Sequence, residues 1–254
     1  MSAESPGSIP ACINPMSARI NCRSGLSPTR LVTGMIVLLI CPASVFAIDS
    51  TCYGDSRKGR IDNAWSLPGA GTNFVSYGNV PELAGRTYVH SKVYQIVVEA
   101  YRLLEQQAAG KVFKYAETGL HKGGPFPPHK THQNGTSVDF IVPVLDRDHH
   151  SVQLPTNLTN RYGYDIEFDQ HGDFAQYRID FDAVGAHLMV LQQVAGREHV
   201  KIKRVIFDPP YHAKLYNSQH GAYIQQHLNL QKKHAWVRHD EHYHVDFDIK
   251  CKPL

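Results

Sequence analysis

The most regular pattern of apolar positions along the chain lies in residues 91–110, "SKVYQIVVEAYRLLEQQAAG". Apolar side chains recur there every three to four positions, with polar side chains between them, as on an amphipathic helix. Ser91 begins the pattern as a candidate cap, and Gly110 ends it as a stop signal. The segment predicts a helix with one buried face, and a second helix is predicted in residues 182–196, "DAVGAHLMVLQQVAG".

Four further segments have the shorter pattern that is typical of β-strands. They are rich in β-branched and aromatic residues and are bounded by Gly, Pro or charged turns. Their sequences are "KVFKYAETG", "TSVDFIVPV", "KRVIFDP" and "HYHVDFDI". Residues 161–182 predict a hairpin with "DQHGD" at its tip. Few strands, two main helices and long polar loops favour an α+β fold, with a small antiparallel sheet flanked by helices and long loops, over a regular βαβ alternation.

An apolar run in residues 31–40, "LVTGMIVLLI", follows three arginines and precedes "CPASVFA". This order is typical of a signal peptide, so we expect residues 1–47 to be a leader cut after Ala47, leaving a domain of residues 48–254. The alternative is an uncleaved membrane anchor, but the run is short of the roughly 20 apolar residues that a span needs. A translation start at Met16 would shorten the unusually long polar part of the leader.

Composition changes this picture in two ways. Removing the leader takes away three arginines and one glutamate, which lowers the formal charge from +3 to about +1, so nucleic-acid binding is not indicated. All 16 histidines remain, which permits metal chemistry without requiring it. Of the five cysteines, only Cys52 and Cys251 remain, one near each end of the domain. In an exported protein this pair predicts a disulfide bond.

The first candidate for chemistry is the stretch "HKTHQNGTSVDF", residues 129–140. His132 lies on a turn that contains a glycine, and Asp139 lies in the strand that follows. An imidazole and a carboxylate can therefore meet beside the end of this strand.

The second candidate is "VRHDEHYHVDF", residues 237–247. His242 and His244 are two positions apart and share one face of the predicted strand, while Val245 and Phe247 take the other face. Together the two stretches offer nitrogen and oxygen ligands on the sheet that suit a tetrahedral zinc ion. Three protein ligands would leave the fourth position for water, as in catalytic zinc sites.

Taken together, these residues resemble a known family. "GGPFPPHKTHQNGTSVDF" followed by "HDEHYH" resembles the penicillin-insensitive murein endopeptidases, which belong with lysostaphin-type enzymes, D-alanyl-D-alanine metallopeptidases and hedgehog-like domains. The pattern of the group is a histidine, an aspartate seven residues later and a distal His-x-His, to which the murein endopeptidases add a histidine three before the pair. Those positions are His132, Asp139, His242, His244 and His239 here. The resemblance extends over roughly residues 80–251.

The resemblance implies a periplasmic zinc metallo-endopeptidase that cleaves the D-alanyl to meso-diaminopimelyl bond in the cross-linked stem peptides of peptidoglycan. It implies that His132, Asp139 and His244 bind Zn²⁺. His242 is then the expected general base and His239 the expected donor to the transition state. Glu241 is the alternative base, since related D-alanyl-D-alanine metallopeptidases use a glutamate at its spacing, but in a fully extended strand it would point away from the metal.

Other interpretations stay open. The same fold can carry a D,D-carboxypeptidase or dipeptidase, or a zinc-bearing module that binds without cleaving. His129 could be a further ligand, an orienting donor or a plain loop residue. The charged hairpin tip, with Asp169, His171 and Asp173, could bind another ion or simply be solvated, and Trp236 could line the substrate groove or belong to the core.

Overall fold

A five-stranded sheet built from distant parts of the chain organises the fold. A computed structural model describes residues 48–235 and 237–254. Its strands are β1 Thr51–Gly54, β2 Gly59–Asp62, β3 Trp65–Ser66, β4 Phe74–Ser76, β5 Tyr88–Val89, β6 Phe113–Tyr115, β7 Ser137–Ile141, β8 Val144–Leu145, β9 Ser151–Val152, β10 Asp173–Phe174, β11 Tyr177–Ile179, β12 Lys201–Ile206 and β13 His242–Asp248. Its α-helices are α1 Asn79–Leu83, α2 Ser91–Gln107, α3 Phe181–Arg197, α4 His212–Tyr216 and α5 Gly221–His227.

The main sheet has the strand order β12-β13-β7-β6-β4. All four strands predicted from the sequence belong to it, which confirms the α+β class. Its pairs are antiparallel except β4 with β6, which run parallel, so the sheet is not purely antiparallel as expected. A second sheet has the order β10-β11-β8-β9, and two small two-stranded sheets, β1-β2 and β3-β5, complete the set.

Helix α2 confirms the amphipathic pattern, but its cap is not the predicted one. Six of its apolar positions are buried in the core, namely Val93, Ile96, Val97, Ala100, Tyr101 and Leu104. The capping residue is His90, whose Nδ1 accepts the backbone N–H of Lys92 at 3.2 Å. Ser91 is the first helical residue instead, because its hydroxyl oxygen accepts the backbone N–H of Ser50 at 3.0 Å.

Helix α3 matches the second predicted helix to within one residue at each end. It begins at Asp180, whose side chain caps the backbone N–H of Ala183 at 3.0 Å. The helix contributes many apolar side chains to the core, but it also carries His187, which is fully buried there. The ring of His187 stacks on Tyr101 and Phe113.

The predicted hairpin at residues 161–182 is shorter and lies further along the chain. Strands β10 and β11 form it and turn at Ala175, which has a left-handed φ of 54°. The "DQHGD" segment precedes the hairpin, where Asp169 Oδ1 accepts the backbone N–H groups of His171 and Asp173 at 2.7 and 2.9 Å. Because this carboxylate satisfies the backbone locally, the segment forms a turn of its own before the first strand.

A disulfide bond joins the two ends of the described domain. It links Cys52 in β1 to Cys251 just after β13, 199 positions apart in sequence, which confirms the predicted pairing. Backbone hydrogen bonds between β1 and Lys252 connect the same two segments. The predicted leader, residues 1–47, and Trp236 lie outside the described residues. In the part of the chain that is described, no helix is long and apolar enough to cross a membrane.

Candidate metal centre

The centre begins with two side chains that face each other across β7 and β13. These strands are antiparallel neighbours, and Asp139 is the direct cross-strand partner of His244. The imidazole Nδ1 of His244 lies 2.7 Å from Asp139 Oδ1, and both residues are buried. The sheet register therefore brings together two of the three metal ligands that the sequence predicted.

His132 approaches the same carboxylate from the turn that precedes β7. Its backbone has a left-handed φ of 70°, which is uncommon outside glycine. Its Nδ1 lies 3.0 Å from the carbonyl oxygen of Thr118. A carbonyl only accepts hydrogen bonds, so Nδ1 carries a proton, and in the neutral ring Nε2 presents a lone pair. Nε2 lies 3.3 Å from Asp139 Oδ2 and is buried without a hydrogen-bond partner.

This arrangement fits a bound cation. Two lone pairs that face each other across 3.3 Å in a buried place repel each other unless a positive charge lies between them. Imidazole nitrogen and carboxylate oxygen are the ligands that zinc takes in catalytic sites. His132, Asp139 and His129 offer ligand atoms that all lie within 4.8 Å of one another. The residues present can therefore hold a zinc-like ion.

His129 belongs to this cluster, which favours its interpretations as a further ligand or an orienting donor over that as a plain loop residue. Its Nδ1 lies 3.9 Å from Asp139 Oδ2, and its Nε2 is hydrogen-bonded to the hydroxyl of Tyr164 at 2.8 Å. Burial lowers the pKa of His129 to about 3, which keeps the ring neutral at pH 7. A neutral imidazole can act as a ligand or as an orienting partner.

His242 lies on the same face of β13 as His244, as the sequence predicted. Its Nε2 is 3.9 Å from Asp139 Oδ2, and its Nδ1–H donates to Glu241 Oε1 at 2.7 Å. Burial lowers the pKa of His242, but the carboxylates of Glu241 and Asp139 outweigh it and raise the pKa to about 9.

The carboxylate of Glu241 contacts the ring of His242 and is not among the groups that line the cleft. Strand β13 begins at His242, so Glu241 lies before it, and its buried carboxylate turns onto the ring of its own neighbour. The condition under which Glu241 was expected to point away, an extended course from residue 241, is not met, because the strand begins one residue later. This contact places Glu241 where it can orient His242.

His239 lies next to His242, with 4.6 Å between the ring centroids. Its Nδ1 lies 3.0 Å from the carbonyl oxygen of Val237, so Nδ1 carries the proton. Burial lowers the pKa of His239 to about 4. In this neutral form Nε2 is an acceptor, and donation to a substrate requires a second proton on the ring.

Several residues of the site were not predicted from the sequence. Arg86 donates through Nε to both carboxylate oxygens of Glu117, at 2.9 and 2.8 Å, beside His129. Tyr164 contacts His129 from a loop, and no local pattern points to either feature. Asp246 binds His244 at 2.8 Å, and the sequence did hold a signal for it, because it follows His244 by two positions on the same strand face.

The centre forms the floor of a cleft of about 860 Å³. His239, His242 and His244 line it, together with the groups around His132 and Asp139. Exposed basic residues lie along its rim, namely Arg57, Lys130 and Arg161. The cleft is thus large enough for a peptide and carries positive charge where it opens.

Two other acidic groups lie away from this cleft. In the described chain Asp169, His171 and Asp173 do not converge as a ligand cluster, and Asp173 is paired with Arg178 at 2.6 Å. Asp146, Asp148 and His150 do come together, but Asp148 and His150 are exposed. Asp146 Oδ1 there accepts the backbone N–H groups of Asp148 and His150, which accounts for the arrangement as a turn.

Comparison with known proteins bears on what this centre does. A search of curated proteins finds no significant match. A family model described as penicillin-insensitive murein endopeptidase matches residues 52–253, which covers the disulfide, the sheet and every residue of the centre. The chain therefore belongs to the family of penicillin-insensitive murein endopeptidases, the family that its sequence resembles.

Proposed function

We propose that this protein is an exported zinc metallo-endopeptidase that cleaves D-alanyl to meso-diaminopimelyl cross-links in peptidoglycan. Its family membership supports a peptidase that acts on peptidoglycan. The observation that best supports a bound metal ion lies on the floor of the cleft. There the buried Nε2 of His132 faces Asp139 and has no hydrogen-bond partner.

The proposed ligands are His132 through Nε2, Asp139 through its carboxylate and His244 through Nδ1. His129 is the rival for the third position, because its Nδ1 also faces Asp139. His244 is preferred for two reasons. Its Nδ1 is closer to the carboxylate, at 2.7 Å against 3.9 Å. Its other nitrogen contacts a carboxylate, which is the usual outer contact of a metal-binding histidine.

A zinc ion held by these residues would supply Lewis acidity to the scissile carbonyl and to a water molecule. His242 is the proposed base, because Glu241 binds its Nδ1–H and its Nε2 lies on the side of the cleft. The positive charge of a bound zinc ion would lower its pKa from the value of about 9 in the metal-free centre and so leave Nε2 free to take a proton. The same nitrogen can return that proton to the leaving amine. No side chain needs to form a covalent bond with the substrate, so a β-lactam would find no nucleophile to acylate.

His239 is proposed to stabilise the negative charge that develops on the substrate carbonyl. The ring is neutral in the structure, since burial lowers its pKa to about 4. A developing oxyanion beside Nε2 would favour the protonated ring, because an opposite charge nearby raises the pKa of an imidazole. Its ring lies beside that of His242, with 4.6 Å between the centroids, so both would face the same reacting group.

The charge on the rim supports an anionic peptide as substrate. Arg57, Lys130 and Arg161 are exposed around the opening of the cleft. Stem peptides of peptidoglycan carry free carboxylates, including one on the diaminopimelyl residue next to the proposed scissile bond. Positive charge at the opening would attract such a substrate and orient it.

Export is the remaining part of the proposal. An enzyme that acts on peptidoglycan works outside the cytoplasm, and the apolar run before "CPASVFA" supports a cleaved leader over residues 1–47. Sequencing the N-terminus of the protein from a periplasmic fraction should give a start at or near Ile48. A full-length form in the membrane fraction would instead support the uncleaved anchor.

The decisive test of the activity is digestion of purified cross-linked muropeptides, followed by mass spectrometry. Cleavage of the cross-link into two stem-peptide monomers is expected, with loss of activity after treatment with a strong chelator. Release of terminal D-alanine alone would indicate a D,D-carboxypeptidase. Zinc binding without any product would indicate a binding module.

A further inference from the structure

Asp246 contacts the proposed ligand His244 on the side away from Asp139. Both residues lie on the same face of β13, and both are buried. Asp246 Oδ1 lies 2.8 Å from Nε2 of His244, while Asp139 Oδ1 lies 2.7 Å from Nδ1. The imidazole ring is therefore held between two carboxylates, one on each nitrogen.

Asp246 is itself fixed by both neighbouring strands. Ser137, its cross-strand partner in β7, donates its hydroxyl to Oδ1 at 2.7 Å. Arg204, its partner in β12, donates through Nε and Nη2 to Oδ2 at 3.0 and 2.5 Å. These contacts leave the carboxylate little freedom to rotate, so the direction in which Oδ1 points is set by the sheet.

The two contacts of His244 have different consequences once a cation is bound. A nitrogen that ligates a metal cannot carry a proton, so a ring that binds through Nδ1 keeps its proton on Nε2. We infer that Asp246 is the positioning residue of the metal centre, because it accepts this proton and so holds His244 in the tautomer that presents Nδ1 to the metal. This inference rests on the proposed zinc function. It adds a residue to the centre that lies outside its set of ligands and acid–base groups.

The competing interpretation is that Asp246 only pairs with Arg204 and stabilises the sheet. The two interpretations differ in which contact matters for zinc. If Asp246 positions His244, removing Arg204 will leave zinc affinity close to that of the wild type, since Ser137 and the strand still hold the carboxylate. If the ion pair is what matters, the loss of either partner will weaken zinc equally.

The test measures zinc affinity by competition with a chromogenic chelator in four variants of the mature protein. Asp246→Ala is expected to bind zinc about 10–100-fold more weakly, the usual effect of losing such an outer contact. Asp246→Asn keeps the shape and an acceptor oxygen, so a smaller loss is expected, and it serves where the alanine variant does not fold. Arg204→Gln tests the ion pair. Asp248→Asn is the matched control, because Asp248 is exposed on the same strand and its removal changes the net charge equally.

Proton NMR of the zinc-loaded protein gives a second measure, independent of activity. The hydrogen-bonded Nε2–H of His244 should give a downfield, exchange-protected signal that Arg204→Gln retains and Asp246→Ala loses. The inference is overturned if both Asp246 variants bind zinc as tightly as Asp248→Asn, or if Arg204→Gln weakens zinc as much as Asp246→Ala does. A wild-type protein that binds no zinc would instead overturn the proposed metal function, and the inference with it.

Discussion

The two faces of β13 are equally buried and chemically opposite. Every residue from His242 to Phe247 is at most 5% exposed. One face carries charge and consists of His242, His244 and Asp246, whereas the other belongs to the apolar core and consists of Tyr243, Val245 and Phe247. Burial therefore does not distinguish the site from the core in this strand. What distinguishes them is the set of partners that each buried polar group contacts.

Two buried histidines show the same difference. His187 projects from α3 into the core, where its Nδ1 is hydrogen-bonded to the hydroxyl of Tyr243 at 2.6 Å, and burial lowers its pKa to about 3. Burial also lowers the pKa of His244, but the carboxylates of Asp246 and Asp139 outweigh it and raise the pKa to about 10. A buried histidine without a carboxylate remains neutral and structural, and one between two carboxylates becomes part of a charged centre.

The largest expected effect comes from removing ligands on the charged face. Asp139→Ala should abolish zinc binding and cross-link cleavage, because a ligand and the negative charge shared by the histidines both leave the centre. His244→Ala should come close to this, while His129→Ala should retain most of the zinc. The measurement is zinc content after dialysis, together with the rate of muropeptide cleavage.

The comparison of the two histidine variants decides between the ligand sets. Retention of zinc in His244→Ala with its loss in His129→Ala would move the third ligand to His129. Full zinc content and turnover in Asp139→Ala would show that the ion binds elsewhere. Circular dichroism of each variant controls for unfolding.

The second effect concerns the proton carrier on the same face. His242→Ala should reduce the rate of cross-link cleavage by about 10²–10⁴-fold at equal zinc content, the usual contribution of a general base. Glu241→Gln should have a milder effect, because the amide oxygen can still accept the Nδ1–H of His242. Single-turnover rates on a defined muropeptide separate the chemical step from binding.

The reverse order of effects would assign the base to Glu241. That outcome would place the mechanism with the D-alanyl-D-alanine metallopeptidases, which use a glutamate at this spacing. A large loss in both variants would indicate that Glu241 and His242 act as one unit.

The alternating chemistry of β13 could be predicted from the sequence, because side chains alternate between faces with a period of two. The four central strands and the two long helices were predicted correctly for similarly local reasons. The disulfide pair was predicted because only two cysteines follow the expected leader. The convergence of His132 and Asp139 was also anticipated, since a turn and the strand after it lie close together in any fold.

The rest of the site depends on contacts between segments that are far apart in sequence. Arg86 and Glu117 are 31 residues apart, and Tyr164 and His129 are 35 apart, so no periodic pattern links them. The orientation of Glu241 depended on a single residue at the start of β13, and strand ends are the part that sequence patterns define least well.

A substitution on the apolar face should lower the free energy of unfolding without changing the affinity for zinc. Phe247 is buried on that face, and Phe247→Ala should lower the free energy of unfolding by about 3–5 kcal/mol through lost burial and a cavity. Zinc affinity of the folded protein should stay unchanged. Urea denaturation of the metal-free protein measures the first quantity and chelator competition the second. Leu83→Ala is the control, since Leu83 is 87% exposed, and a loss of zinc affinity in Phe247→Ala would contradict the independence of the two faces.

The smallest expected effect is a pH dependence that comes from His187. Its pKa is about 3 in the folded protein against 6.5 as the ordinary value, so between these values the unfolded chain binds a proton that the folded chain does not. The stability that the neutral His187 contributes is therefore fully present above pH 6.5 and falls as the pH drops towards 3, by about 2 kcal/mol between pH 7.5 and 5.

His187→Gln cannot titrate, so its unfolding free energy, measured with urea on metal-free protein, should fall by about that much less over the same interval. His199→Gln is the control for the substitution itself, because it replaces an exposed histidine and keeps His187. Parallel curves for wild type and His187→Gln would show that the core histidine takes up its proton without unfolding, and that the apolar face of β13 tolerates charge.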